Sequence, residues 1–131
     1  MPDFRLTQIG VVRSPLKDLH QCPRQEREGA PEARIDMDPR YAEALKGLKT
    51  GKQIIILTWL HKADRERLKV HPRGNPAIPM RGVFSTRSPH RPNPIGLHQT
   101  RLLAFESPVS IRVAPLEAVD GTPVVDIKSV I

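Results

Sequence analysis

The sequence contains a single cysteine, Cys22, and no long hydrophobic run. One thiol cannot form an intrachain disulfide. The longest apolar stretch, residues 54–60, is far shorter than the ~20 residues of a membrane-spanning helix and predicts a buried strand instead. The N-terminus MPDFR carries charge where a secretory signal carries apolar residues. We therefore expect a cytoplasmic protein that does not enter a membrane.

Several enzyme and cofactor signatures are also absent. The sequence has no glycine-rich fingerprint between a strand and a helix, no phosphate-binding loop and no serine nucleophile elbow, which argues against a Rossmann-type methyltransferase or dehydrogenase. His20 and Cys22 have no second pair at zinc-ligand spacing, so no metal site is expected. Aromatic residues make up only 4% of the chain, fewer than a sequence-tolerant single-strand RNA binder is expected to need.

Positive charge is the most pronounced feature that is present. The chain has 21 Lys and Arg against 14 Asp and Glu, a net charge of +7, and its pI is near 10.2. Lysine and arginine gain affinity for a polyanion by releasing its counterions. Nucleic acid is the partner that this charge favours, and the alternative is that the charge serves only solubility.

The pattern of prolines and apolar residues predicts a mainly β fold. Fourteen prolines argue against a helical bundle. One helix is predicted from Pro39 to Lys46, with Asp38 as its N-cap and Gly47 near its end. Alternating apolar residues predict strands at residues 4–7, 54–60, 82–86, 97–105, 109–113 and 124–127.

These elements predict one closed or nearly closed small β-barrel with one or two short helices. The Asp120-Gly121 turn is expected to join the last two strands as a hairpin. The charged, proline-rich residues 62–80 carry no clear element and are interpreted as a functional loop or a flap that faces a partner.

Three segments are candidates for a binding site. Residues 87–96, RSPHRPNPIG, form a loop that three prolines make rigid, which lowers the entropy lost when Arg87 and Arg91 are held against a ligand. Residues 14–25 combine basic and amide groups with prolines, although a solvated loop explains them equally well. Residues 120–123, DGTP, offer backbone groups at a turn, and a turn without further function is the alternative.

Four motifs together make the chain resemble the TsaA-like (TrmO) family. They are IGVVRSP at residues 9–15, PRQ at 23–25, GVFSTRSPHRPNPIG at 82–96 and DGTPVVDIK at 120–128, and their order and spacing agree with the family. The resemblance covers essentially the whole chain. It implies a single-sheeted β-barrel and an enzyme that uses S-adenosyl-L-methionine to methylate N6 of threonylcarbamoyladenosine, the nucleoside next to the anticodon of a tRNA.

The resemblance also implies a homodimer with its cofactor site near the subunit interface. The residues that it places around the cofactor are Pro23, Arg24, Gln25, His61, Lys62, Arg87, Leu97, Asp120, Gly121, Thr122 and Pro123. The remaining basic residues are then expected to contact the tRNA, and among them we predict Arg91 and Lys17. No catalytic acid or base is identified, although Asp120 and Asp126 are possible proton acceptors.

The chain departs from the family pattern at two places. Residues 49–53, KTGKQ, replace an acidic run that usually leads into the central strand, and Ser129-Val130 replaces the usual Pro-Tyr. The chain ends at Ile131, where longer members continue, so we expect a single domain over residues 1–131 without the C-terminal extension. Two alternatives stay open: a methyltransferase of the same fold with another substrate, and a basic RNA-binding barrel without catalysis.

Overall fold

A computed structural model describes residues 3–15 and 31–131 of the chain. Six of its strands form one closed antiparallel barrel in the order β1-β2-β7-β6-β3-β8, and β4 pairs only with β5 in a small separate sheet. The strands are β1 (Gly10–Arg13), β2 (Ala33–Met37), β3 (Gln53–Trp59), β4 (Lys69–Val70), β5 (Arg81–Gly82), β6 (Ile95–Ser107), β7 (Ser110–Ala114) and β8 (Pro123–Ser129). Short 3-10 helices span Pro39–Leu45, Pro72–Gly74 and Val83–Ser85. The predicted mainly β barrel with short helices is confirmed.

The barrel interior is filled by the alternate side chains that its strands point inward. Ile54 and Ile56 of β3, Ile35 of β2 and Leu102 of β6 are almost completely buried in one apolar cluster. Every second residue of these strands faces outward, as the two-residue period of a strand requires. The apolar run that predicted β3 is therefore a core strand, whose inward residues alternate with outward ones.

One polar pair lies inside this barrel. Thr58 and His98 are both buried, and Thr58 Oγ1 lies 2.9 Å from His98 Nε2. A Cβ at the neighbouring Gly96 would lie 2.8 Å from His98 Nε2 and would also crowd the Thr58 hydroxyl. Only glycine leaves room for the pair at this position. The buried hydroxyl of Thr100, on the same face of β6, has no hydrogen-bond partner among the described residues.

The predicted helix is present, although its geometry is 3-10. Asp38 caps it, since its carboxylate accepts a hydrogen bond of 3.0 Å from the Arg40 N–H. The helix ends at Leu45, one residue earlier than predicted, and Gly47 follows with a φ of +95°. Leu45 belongs to the core cluster and closes one end of the barrel.

Several predicted strands are wrong. Residues 4–7 form no strand and are exposed, because the first strand begins at Gly10. Residues 82–86 contain only the end of β5 and then a 3-10 helix. The predicted hairpin between the last two strands is also wrong: β7 pairs with β2 and β6, whereas β8 pairs with β1 and β3. Strands β1 and β2 were not predicted.

The two ends of the barrel carry different elements. At one end, called here the helix rim, lies the 3-10 helix Pro39–Leu45 between β2 and β3. At the other end, called here the site rim, β3 ends and β6 and β8 begin. Within residues 3–15 and 31–131, no helix is both long and apolar enough to cross a bilayer.

Candidate functional site

The site rim collects the described residues that the sequence predicted around a cofactor. Antiparallel pairing of β3 with both β6 and β8 brings the end of β3 beside the beginnings of the other two strands. The predicted residues on these three neighbouring strands and their connections are His61, Lys62, Arg87, Leu97, Asp120, Gly121, Thr122 and Pro123. Segments far apart in sequence thus meet at one end of the barrel.

The turn at residues 120–123 is tied to β1. Asp120 Oδ1 accepts a hydrogen bond of 3.0 Å from the Ser14 N–H, and the Gly121 N–H donates to the Val12 carbonyl at 2.8 Å. Gly121 has a φ of +88°, a conformation that favours glycine. The Thr122 hydroxyl is buried and donates to the Val119 carbonyl at 2.7 Å. The hydroxyl therefore holds the turn, and only other parts of the turn can meet a ligand.

Arg91 organises the proline-rich loop that precedes β6. Its guanidinium donates to the carbonyl oxygens of Ser88 at 3.0 Å, Thr86 at 2.8 Å and Val83. The side chain is half-buried against its own loop. Contact between Arg91 and tRNA stays a prediction, and the geometry adds a structural role that the sequence did not indicate.

Arg87 differs from Arg91 in its surroundings. It is exposed on the same loop and forms no ion pair or side-chain hydrogen bond with another described residue. Lys62, on the connection after β3, is also exposed and forms no ion pair with another described residue. An exposed guanidinium on a rigid loop suits a carboxylate, which it can bind through two parallel hydrogen bonds. A carboxylate-binding role for Arg87 and Lys62 stays a prediction that their exposure and charge allow.

Two contacts attach this loop to the connection that leaves β3. Arg65 stacks over the Trp59 ring at 5.2 Å and donates to the Pro92 carbonyl at 2.7 Å. The Asp64 N–H donates to His90 Nδ1 at 3.0 Å. Burial, and next the nearby Arg67, lower the pKa of His90. Because Nδ1 must be unprotonated to accept this hydrogen bond, the lowered pKa favours the form that joins the two segments.

A β-bulge changes the direction of the Asp126 side chain. The pairing of β3 with β8 shifts register between Leu57 and Thr58, so that Thr58 pairs with Val124 and Leu57 with Asp126. The extra residue places Asp126 on the outer face, in one row with Leu57 and, across β3, with Leu97. Asp126 Oδ2 pairs with Lys128 Nζ at 3.2 Å.

Some predicted residues lie outside the described part of the chain: Lys17, Pro23, Arg24 and Gln25. Their roles stay predictions. Within the two described ranges, no group of three His, Cys, Asp or Glu side chains is close enough to hold a metal ion. Two depressions of the described surface lie at the helix rim, one beside Phe105 and one beside Tyr41. Val125 and Asp126 of β8 also line the depression beside Tyr41.

Sequence reasoning missed the small sheet between residues 62 and 91. There β4 and β5 pair, with Lys69 opposite Gly82 and Val70 opposite Arg81. We call residues 69–82 the flap. Phe84, just after the flap, is 80% exposed. The charge of residues 62–80 did predict a surface that faces a partner, but strands of two residues are too short to show an alternation.

Comparison with known proteins agrees with the geometry. The family model for the tRNA-methyltransferase O N-terminal domain matches residues 11–131. A relative from Methanothermobacter thermautotrophicus, named "Probable S-adenosyl-L-methionine-binding protein", is 46% identical over 96% of this chain and 89% of its own. The Escherichia coli tRNA (adenine(37)-N6)-methyltransferase is 36% identical over 98% of this chain and 58% of its own.

Solved structures show the same fold. A crystal structure of TrmO from P. aeruginosa superposes with a TM-score of 0.78 and 30% sequence identity, covering 100% of this chain and 56% of that one. The present chain thus spans a little over half the length of the two longer proteins.

Proposed function

The chain belongs to the tRNA-methyltransferase O N-terminal-domain family, and from this membership we propose that it is an S-adenosyl-L-methionine-dependent methyltransferase that acts on adenine N6 in tRNA. The observation that supports the proposal is that the described members of the predicted cofactor set lie on the strands and connections of the site rim. Their chemistry fits the cofactor. Arg87 and Lys62 suit its carboxylate, Leu97 offers an exposed apolar wall, and the 120–123 turn offers backbone groups.

We further propose that the substrate is threonylcarbamoyladenosine beside the anticodon. Bound S-adenosyl-L-methionine supplies an electrophilic methyl carbon, so the chain's task is to hold that carbon and the acceptor nitrogen in line. Arg87 holds the cofactor's carboxylate and Leu97 packs against its apolar part. Because the carbamoyl group makes N6 more acidic than a plain adenine amine, removal of its proton requires only a modest base.

Asp126 is our choice for the proton acceptor. Both carboxylates that the sequence offered have partners: Asp120 accepts from the Ser14 N–H in the turn, and Asp126 accepts from the Ile127 N–H and pairs with Lys128. We choose Asp126 because the bulge turns it to the outer face, in one row with Leu97. Asp126 lies two strands from Leu97, about 10 Å at the usual strand spacing. We expect Asp126→Asn to lower kcat about 100-fold or more with an unchanged cofactor Kd. A variant with wild-type kcat would remove Asp126 from this role.

A homodimer accompanies this proposal. Ile95 is 41% and Leu97 47% exposed, side by side on the outer face of β6. A second copy covering these side chains would remove apolar surface from water and place the interface beside the cofactor residues. Sedimentation equilibrium tests it directly, since Leu97→Lys should convert a dimer into a monomer. A wild-type protein that sediments as a monomer would contradict the dimer.

Titration of the protein with S-adenosyl-L-methionine in a calorimeter tests the cofactor site. Arg87→Ala should weaken binding by about 1.5 to 3 kcal/mol if Arg87 makes a charge-assisted hydrogen bond. Arg5→Ala is the matched control, because Arg5 is another exposed arginine outside the site. Equal affinities of the two variants would exclude Arg87, and no binding by the folded wild type would favour an RNA-binding barrel without catalysis.

The substrate is tested with one tRNA in two forms. Threonine tRNA carrying threonylcarbamoyladenosine and the same tRNA carrying plain adenosine are incubated with cofactor, and nucleosides are identified by mass spectrometry. Methylation of the first form alone supports the proposed substrate. Equal methylation of both forms would contradict the finer proposal and keep the tRNA methyltransferase, whereas methylation of neither would contradict both.

A further inference from the structure

Positive charge is concentrated in residues 62–91. This segment has eight Lys and Arg but only two acidic residues, a net charge of +6 in a chain whose net charge is +7. The remaining residues are close to neutral. The segment contains the flap and the Arg91-held loop, so the positive potential of the protein comes from this surface beside the site rim.

Several cations of this surface are not neutralised. Lys69 and Arg81, on the two paired strands of the flap, are exposed and form no ion pair with another described residue. On the barrel wall, in contrast, Arg34 pairs with Asp36 at 2.8 Å and Arg112 with Glu106 at 3.3 Å. Because Lys69 pairs with Gly82 and Arg81 with Val70, the two cations start from opposite faces of the small sheet, and an RNA strand that meets both passes along its edge. Unpaired cations favour a polyanionic partner.

An aromatic side chain stands among these cations. Phe84 is 80% exposed, and Leu68 and Met80 beside the flap are 66% and 52% exposed. The preceding Val83 is 1% exposed, and Arg91 holds its carbonyl. The backbone at Phe84 is therefore fixed while its ring faces water, an arrangement that suits a planar partner more than it suits folding.

We propose that the flap surface binds the single-stranded part of an RNA, with Phe84 stacked on one unpaired base and Lys69 and Arg81 against the flanking phosphates. This rests on the proposed function and names the surface that holds the substrate's loop. Every base offers a face to an aromatic ring, and the backbone offers the negative charge. One exposed aromatic residue in this segment predicts one stacked base rather than an extended platform.

Stacking is tested with Phe84→Leu, which keeps an apolar side chain and removes the ring. Affinity for a labelled anticodon stem–loop RNA, measured by fluorescence anisotropy, should fall about tenfold, and Phe84→Trp should restore it. Phe105→Leu at the helix rim is the matched control and should bind like the wild type. Equal affinity of the Phe84→Leu and Phe105→Leu proteins would overturn the stacking contact.

Phosphate contact is tested by salt dependence. The double variant Lys69→Gln, Arg81→Gln should reduce the slope of log K against log salt by about 1.4, since each phosphate contact to a single strand contributes about 0.7. Lys46→Gln, Lys49→Gln at the helix rim is the matched control with the same change of charge. A wild-type slope in the flap variant would overturn the phosphate contacts.

Two parallel measurements separate this inference from others. If phosphatidylserine vesicles bind the wild type but not Phe84→Leu, and RNA affinity is the same for both, the surface serves a membrane and the inference fails. Methyl transfer is assayed on the same proteins. If RNA binding depends on Phe84 but no methyl group is transferred, only the proposed function is overturned. If methyl transfer occurs but the flap variants bind RNA like the wild type, only this inference is overturned.

Discussion

The structural role of Arg91 yields a prediction of measurable size. Arg91→Lys keeps the positive charge, but an ammonium group cannot reach three carbonyl oxygens that a planar guanidinium reaches together. A hydrogen bond from a charged donor contributes about 1.5 to 3 kcal/mol, and the lower end applies because Arg91 is half-buried. Loss of two such bonds, partly offset by solvation of the freed carbonyls, should cost about 2 to 3 kcal/mol. The open population of the loop should then rise roughly 30- to 150-fold.

Hydrogen exchange followed by mass spectrometry measures this opening. The Thr86, Ser88 and His90 N–H groups donate within the loop that Arg91 holds, so their exchange should accelerate by that factor. Amides of β2 should exchange as in the wild type, because the barrel core does not include the loop. Unchanged exchange at residues 83–93 would refute the reasoning. Arg91 would then be left with the tRNA contact that the sequence suggested.

Three further predictions concern stability, measured as the free energy of unfolding in urea. Gly96→Ala should lower the free energy of unfolding by about 2 to 4 kcal/mol, because its Cβ crowds the Thr58–His98 pair. Gly82→Ala is the control and should cost little, since the nearest atom to a Cβ there is 4.0 Å away. Equal losses in the two variants would contradict the crowding. Thr100→Val should gain about 1 kcal/mol by removing an unbonded buried hydroxyl, and a loss would contradict this. Because folding lowers the pKa of His90, the unfolded chain binds a proton at this imidazole more readily than the folded chain does, and stability should fall as pH drops below about 6.5. His90→Asn should flatten that fall. An unaltered pH profile would exclude His90 as its source.

Local chemistry explains which elements the sequence could predict. The helix depends on Asp38 and Pro39, which act within one turn, and β3 is recognised from its own continuous apolar run. Asp120-Gly121 does form a turn, as predicted. The hairpin prediction failed because the closure of the whole barrel, and not the turn, decides which strands pair. Strand β1, GVVR, has two adjacent valines instead of an alternation, whereas β2, ARIDM, alternates as regularly as residues 109–113 and could have been predicted.

The candidate site was predictable only in part, for a related reason. Resemblance to a family predicted residues such as Arg87 and the 120–123 turn around the cofactor, and the barrel places them at one rim, while their contact with a cofactor stays a prediction. No sequence pattern distinguishes an arginine that bonds its own loop from one that contacts a partner. The structural role of Arg91 could therefore be recognised only from its hydrogen bonds in the structure. The exposure of Phe84 was not predicted either, because the proportion of aromatic residues does not show which of them are exposed.

The junction of β1 with β8 has a consequence for how the site comes into being. The strands pair at only two positions, Gly10 with Val124 and Val11 with Pro123, and they join chain segments more than 100 residues apart. Contacts of such long sequence separation pay the largest loop-closure entropy and tend to form late in folding. The 120–123 turn lies at this seam. The residues that this turn contributes to the predicted cofactor site come together only when β1 and β8 pair, so a ligand that binds them stabilises only chains in which the barrel has closed.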